Sequence, residues 1–277
     1  MLKIEKVVLP SAEQWEAIIR GMRNPKNSWG LSDSGMYCED QYDGYIEPIR
    51  WKVGPNDHKL MTSLAKGGPV HAKYRRMIPV FLDITAPLYW WKEFDTYKIG
   101  TVANSCSTMH KIQAKEFTLD DFSHDQLLSD FSDDICKEFE DVRGYLNSPI
   151  DDLKYDIEKL NMYRELYLRT GDKKYWWQMI QRLLSSYNQK RTVMLNYEVL
   201  HNIYISRKNH KLDEWHVVCD WIESLPYSEL ITGRDKEMEA KALERYKTIY
   251  EKIKNHGLPE VKEFTSWIKA ALETKEK

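Results

Sequence analysis

The chain has 277 residues, 42% of them hydrophobic and 30% charged, enough for one sizeable core or one domain with an appendage. Its 41 basic and 43 acidic residues leave a formal net charge of −2, a balance that argues against a nucleic-acid polyanion as the main partner. Cys38, Cys106, Cys136 and Cys219 form no Cys-x-x-Cys pair, which leaves a zinc knuckle or a thioredoxin-like site without support. The N-terminus lacks a signal-peptide core and no apolar run approaches membrane-span length, so a cytoplasmic protein with reduced thiols and no membrane partner is expected.

Residues 2–9 alternate charged and apolar, as a strand with one exposed face does. Ser11-Ala-Glu-Gln14 is a capping box and opens a helix through Met22. Residues 24–54, rich in Gly, Asp, Asn and Ser, read as a long loop. A short helix over 57–66 stops at Gly67-Gly68-Pro69. Residues 77–84 read as a strand, with Pro79 pointing to an edge or a bulge. Pro87 suits the first turn of a helix through about Lys98. Gly100 breaks that helix, and 102–110 reads as irregular. Helices are expected over 127–146, 151–169, 173–184, 192–207 and 212–224. The charged runs 234–255 and 259–274 read as a solvated helical tail, so the chain divides into a body over 1–230 and an extension over 231–277. Adjacent rings in Trp90-Trp91 and Trp176-Trp177 stand about 100° apart on a helix, one for the core and one for a subunit contact. Strands early and helices late make an α+β pattern. No Gly-x-Gly-x-x-Gly and no phosphate-loop Gly-Lys-Ser/Thr pattern is present, so ordinary dinucleotide and nucleoside triphosphate sites are unsupported.

The most informative stretch is Asn196-Tyr-Glu-Val-Leu-His-Asn-Ile-Tyr-Ile-Ser-Arg207. Leu195, Val199, Leu200, Ile203 and Tyr204 recur near helical spacing. Asn196, Asn202 and Arg207 interrupt them with planar polar groups that must reach water or a partner. Such a helix suits a ligand that is part ring and part phosphate. Upstream stand His71-Ala-Lys-Tyr-Arg-Arg-Met77, Val80-Phe-Leu-Asp-Ile84 and Ala86-Pro87, followed by Thr96-Tyr-Lys98, Asn104, Cys106, Ser107 and Thr108.

Together these blocks resemble the flavin-dependent thymidylate synthases over about residues 55–225. The resemblance implies an α+β fold with a small, mostly antiparallel sheet and many helices. It implies one-carbon transfer to C5 of dUMP with FAD, methylene-tetrahydrofolate and NADPH, in a homotetramer whose sites are shared between subunits. Arg207 matches the arginine that contacts dUMP, and Arg191, or Lys190, matches the one that holds nucleotide phosphate. Asn196 and Asn202 match asparagines lining the flavin site, and His71 and Lys98 fall on its cofactor side. Thr96-Tyr97-Lys98 stand where the family has Arg-His-Arg, so a single positive charge remains there. Read without a gap, Asn104 replaces the family's Glu and Cys106 its Ser. With a one-residue insertion, Asn104 and Ser107 instead keep the family's Asn and Ser, and both registers stay open. Glu198 stands where the family has an arginine, and a carboxylate facing a diphosphate would repel it. Two alternatives accompany this reading: a nucleotide-binding or interaction module without redox chemistry, and a pyrimidine-modifying enzyme with another product.

Overall fold

A computed structural model describes residues 2–37, 50–130 and 147–234, with 244, 245 and 247 singly. Its centre is a four-stranded antiparallel sheet in the order β1-β4-β6-β5, built from β1 (Lys3–Val8), β4 (Pro79–Pro87), β5 (Val102–Ser105) and β6 (Asn188–Asn196). A separate pair joins β2 (Gly35–Tyr37) to β3 (Arg50–Lys52), and the residues between them lie outside the described ones. The α+β expectation with a small antiparallel sheet is met.

Helices cover one face of the sheet. Ser11 caps α1 (Ala12–Arg23) and Gln14 reaches back to the Ser11 amide, completing the expected capping box, a device worth about 1 kcal/mol. Next come α2 (Pro55–Lys66) and α3 (Leu88–Phe94), then the hairpin of α4 (Pro149–Thr170) and α5 (Lys173–Arg182). The body closes with α6 (Tyr197–Arg207), α7 (Asp213–Ser224) and the short α8 (Glu229–Thr232). Val80, Leu82, Ile84, Val193 and Leu195 turn from the sheet into a core with Trp90, Phe94, Leu200, Ile203, Trp215 and Ile222. A second cluster, with Phe117, Phe122, Leu160 and Met179, packs under the α4–α5 hairpin. The main core runs through Leu230 and Ile231.

Several expectations are corrected. Residues 192–207 are not one helix: a strand runs to Asn196 and the helix begins at Tyr197. Gln189, Val193 and Leu195 are buried at every second or fourth position, a two-residue period that hands over to helical spacing at Asn196. The irregular reading of 102–110 gives way to β5 over its first four residues, a short edge strand with little burial to advertise it. β4 is central rather than an edge, and Pro79 is tolerated because it is the first residue of the strand, before the pairing with β1 begins. The helix after Pro87 ends at Phe94. Trp90 and Trp91 are both buried, because α3 is wedged between the sheet and α7. Residues 127–130 carry no helix, and the remainder of that expected helix lies outside the described residues. The charged tail from 235 onward, apart from 244, 245 and 247, lies outside them as well.

Candidate functional site

The stretch from Trp91 to Cys106 is the common wall of the site, because it touches most of the side chains singled out above. Arg191 projects from β6 toward α3. Its guanidinium lies 4.1 Å from the Trp91 ring centroid, Nε donates to Gln189 Oε1 at 3.0 Å and Nη1 donates to Asp95 Oδ1 at 2.7 Å. Gln189 in turn donates to the Cys106 carbonyl at 2.8 Å, and the Cys106 amide donates to the Lys190 carbonyl at 2.9 Å. Side chains alternate across a strand, so Lys190 turns to the outer face, where it meets Asp83 at 3.0 Å and Glu5 at 3.6 Å. That alternation separates Lys190 from the α3 side and leaves Arg191 there alone.

Arg207 ends α6 on the same wall. Its Nε donates to the Tyr97 hydroxyl at 3.0 Å, Nη1 donates to Glu93 Oε2 at 2.8 Å, and the guanidinium stacks 4.8 Å from the Trp215 ring centroid. Both arginines are therefore stacked on a tryptophan and paired with an acid at the end of α3. They are largely buried, at 15% and 17% exposed, so their orientations are fixed before any ligand arrives.

The remaining predicted residues divide. Asn196 is the N-cap of α6, and its Oδ1 accepts from the amides of Glu198 and Val199 at 3.1 Å each. A Cβ on Gly100, which sits at φ +81°, would meet Asn196 Nδ2 at 3.0 Å, so the turn after Lys98 rests directly on the start of α6. Positive φ and this contact together require the glycine. Asn202 is exposed on α6, about 120° around the helix from Asn196. Lys98 is exposed beside Ile99, which is 95% exposed. Asn104 pairs with Thr192, so it faces away from Arg191, and Ser105 is the residue opposite Arg191. Cys106 is exposed, and Ser107 Oγ accepts from the His110 amide at 2.9 Å, closing a turn. His71 stands at the surface before a short turn of helix, and its ring packs near Gly67.

Glu198 corrects the expectation of repulsion. It is buried, and its Oε2 lies 3.6 Å from Nη1 of the buried Arg75 without a hydrogen bond, so the carboxylate is turned toward an internal cation. Sequence reading missed Glu93, Asp95, Gln189, Trp91 and Trp215. Two acids near a helix end carry no motif, and only the fold brings them to Arg207 and Arg191. A cavity of about 530 Å³ opens at the start of α7, lined by Tyr89, Ser123, Ser185, Lys211 and Glu214, and none of the predicted site residues lines it. Burial, then the Glu214 carboxylate, pushes the Tyr89 hydroxyl up to about 12, so it stays protonated there. Among the described residues, no group of His, Cys, Asp and Glu gathers to hold a metal, and no helix is long and apolar enough to cross a membrane.

No protein-family model matches the chain, and no curated protein matches it by sequence. Solved structures do. Thymidylate synthase X from Helicobacter pylori, solved with FAD and dUMP, superposes with a TM-score of 0.54 at 14% identity, covering 84% of this chain and 98% of that one. The UMP/dUMP methylase PolB from Streptomyces cacaoi, solved with 5-Br UMP, superposes with a TM-score of 0.51 at 13% identity, covering 84% of this chain and 95% of that one. The chain therefore has the fold of the flavin-dependent thymidylate synthases.

Proposed function

We propose that the chain is an enzyme that binds a pyrimidine deoxynucleotide, dUMP, at Arg191 and Arg207 and transfers one carbon to C5 of its ring. The observation that carries this reading is the pair of arginines, each stacked on a tryptophan and aligned along one wall. In each guanidinium Nη2 makes no hydrogen bond among the described residues and is left for a ligand. Remote binding energy of this kind fixes a ring for transfer. Ser107 and Cys106, just past β5, are the further contacts assigned to the nucleotide, whereas Asn104 lies on the face of the sheet opposite Arg191 and is left out of the site.

FAD is the proposed redox cofactor, with methylene-tetrahydrofolate and NADPH as co-substrates. The donor set suits a flavin in two respects: Lys98 and the bare apolar surface of Ile99 stand together at the surface, and Glu198 is turned inward onto Arg75. When bound, the flavin supplies the hydride, so the protein needs no nucleophile of its own. Lys98 offers a point charge to its phosphates, and Asn196, Asn202 and His71 offer amide and imidazole groups. Asn202 and His71 are exposed and suit a ligand held by a neighbouring copy in a homotetramer.

A second reading, nucleotide binding without redox chemistry, is favoured by one observation. Tyr97, in the middle of the stretch that would hold the flavin phosphates, is engaged by Arg207. The absorbance spectrum of the purified protein, with and without added FAD, separates the two. Flavin bands that persist through gel filtration are expected. A colourless protein that takes up no FAD yet binds dUMP leaves the second reading in place.

A further inference from the structure

We propose that Glu93 is a positioning residue that cancels the charge of Arg207 and limits it to a neutral acceptor, leaving phosphate to Arg191. The proposal rests on the reading of these two arginines as one site. One oxygen, Glu93 Oε2, gathers three groups: Nη1 of Arg207 at 2.8 Å, the indole Nε1 of Trp215 at 2.9 Å and Nε2 of His210 at 3.4 Å. Nδ1 of His210 accepts the Leu212 amide proton at 3.2 Å, so that nitrogen is bare. The Nε2 side of the imidazole faces Glu93. Arg207 is the one arginine or lysine paired with this carboxylate among the described residues, so a permanent cation meets an anion one to one.

The donors of Arg207 point the same way. Arginine grips phosphate through two parallel N–H groups on one edge of the guanidinium. Tyr97 holds Nε, Glu93 takes one N–H of Nη1, and Trp215 covers one face, so the Nε/Nη2 edge is closed to a two-donor grip and the terminal edge is shared with a carboxylate. The donors that remain belong to a guanidinium whose charge is met, beside a carboxylate that repels a second anion. Asp95 is built differently. It is 51% exposed and has Arg191 as its side-chain partner, so an arriving phosphate can take its place. Displacing Glu93 would instead orphan the Trp215 indole and the His210 N–H as well as Arg207.

The test is calorimetric titration of inorganic phosphate and, separately, dUMP into the full chain and its variants. Glu93→Gln keeps an acceptor for Arg207 and Trp215 but removes the charge. It is expected to bind inorganic phosphate about tenfold more tightly than the parent. That gain should vanish in Glu93→Gln/Arg207→Ala. Glu93→Asp, which keeps the charge, should remain at the parent's phosphate affinity even if Glu93→Gln folds poorly. Unchanged phosphate binding in Glu93→Gln overturns the proposal, as does a gain that survives loss of Arg207 or appears equally in Glu93→Asp. An Arg207-dependent gain in a protein that binds no dUMP supports the role of Glu93 and removes the nucleotide reading.

Discussion

Asp57→Ala is expected to destabilise the fold by about 3–5 kcal/mol, because it strands a buried cation. Asp57 and Arg23 are almost fully buried, and Nε of Arg23 donates to Oδ1 of Asp57. The other carboxylate oxygen accepts from the Ser32 hydroxyl at 2.7 Å, from the Asp33 and Ser34 amides at 3.1 Å each, and from the Ser34 hydroxyl at 2.6 Å. Arg23 also donates to the carbonyls of Ser28 and Leu31 at 3.1 and 3.0 Å. This one pair ties α1 and α2 to the chain over 28–34. Thermal unfolding should show a midpoint lower by roughly 10 °C, and a shift under about 2 °C would remove the pair from the account of stability. The same group sets a pH dependence. Burial pushes its pKa up, but the hydrogen bonds from Ser34, Ser32, Arg23 and the Asp33 amide outweigh it, and the folded value lies below the ordinary one. Its contribution is therefore complete above the ordinary carboxylate range and is lost as pH falls through the lowered value. Asp57→Asn should flatten that part of the acid unfolding curve.

Trp215→Ala is expected to cost about 3–5 kcal/mol and to loosen Arg207 as well. The indole is fully buried, its centroid lies 4.7 Å from that of Trp90, and the Arg207 guanidinium rests on it. Truncation removes the ring, the Nε1 bond to Glu93 and the stacking surface together. Trp215→Phe keeps a buried ring but removes the N–H and one ring of the indole, so a smaller loss of about 2 kcal/mol is expected from chemical denaturation. Equal losses in the two variants would show that packing contributes little and that the Glu93 bond carries the effect.

What the sequence disclosed follows the same physics. The capping box at Ser11 and the Gly67-Gly68-Pro69 stop were legible because their causes are local. So was the shared fold, carried by the blocks around residues 71–87 and 196–207. The β6-to-α6 junction was not, because Leu195 and Val199 happen to stand four apart across a change of element. β5 was hidden because a short edge strand needs no apolar alternation. At the site, Arg191 and Arg207 stood out as residues, but their partners did not. Glu93 and Trp215 are far apart in the chain, and only α3 packing against α7 joins them at 2.9 Å. Glu198 shows the converse. Its charge looked like an obstacle until the buried Arg75 was seen beside it.

The measurement that bears most directly on the central claim is calorimetric titration of dUMP into the parent protein, Arg191→Ala and Arg207→Ala. The account predicts binding to the parent, weakened by about 1.5–3 kcal/mol in each variant as a charge-assisted bond is lost, with all three proteins folded. Equal affinity in all three, or no binding to the parent in the presence of FAD, would contradict it.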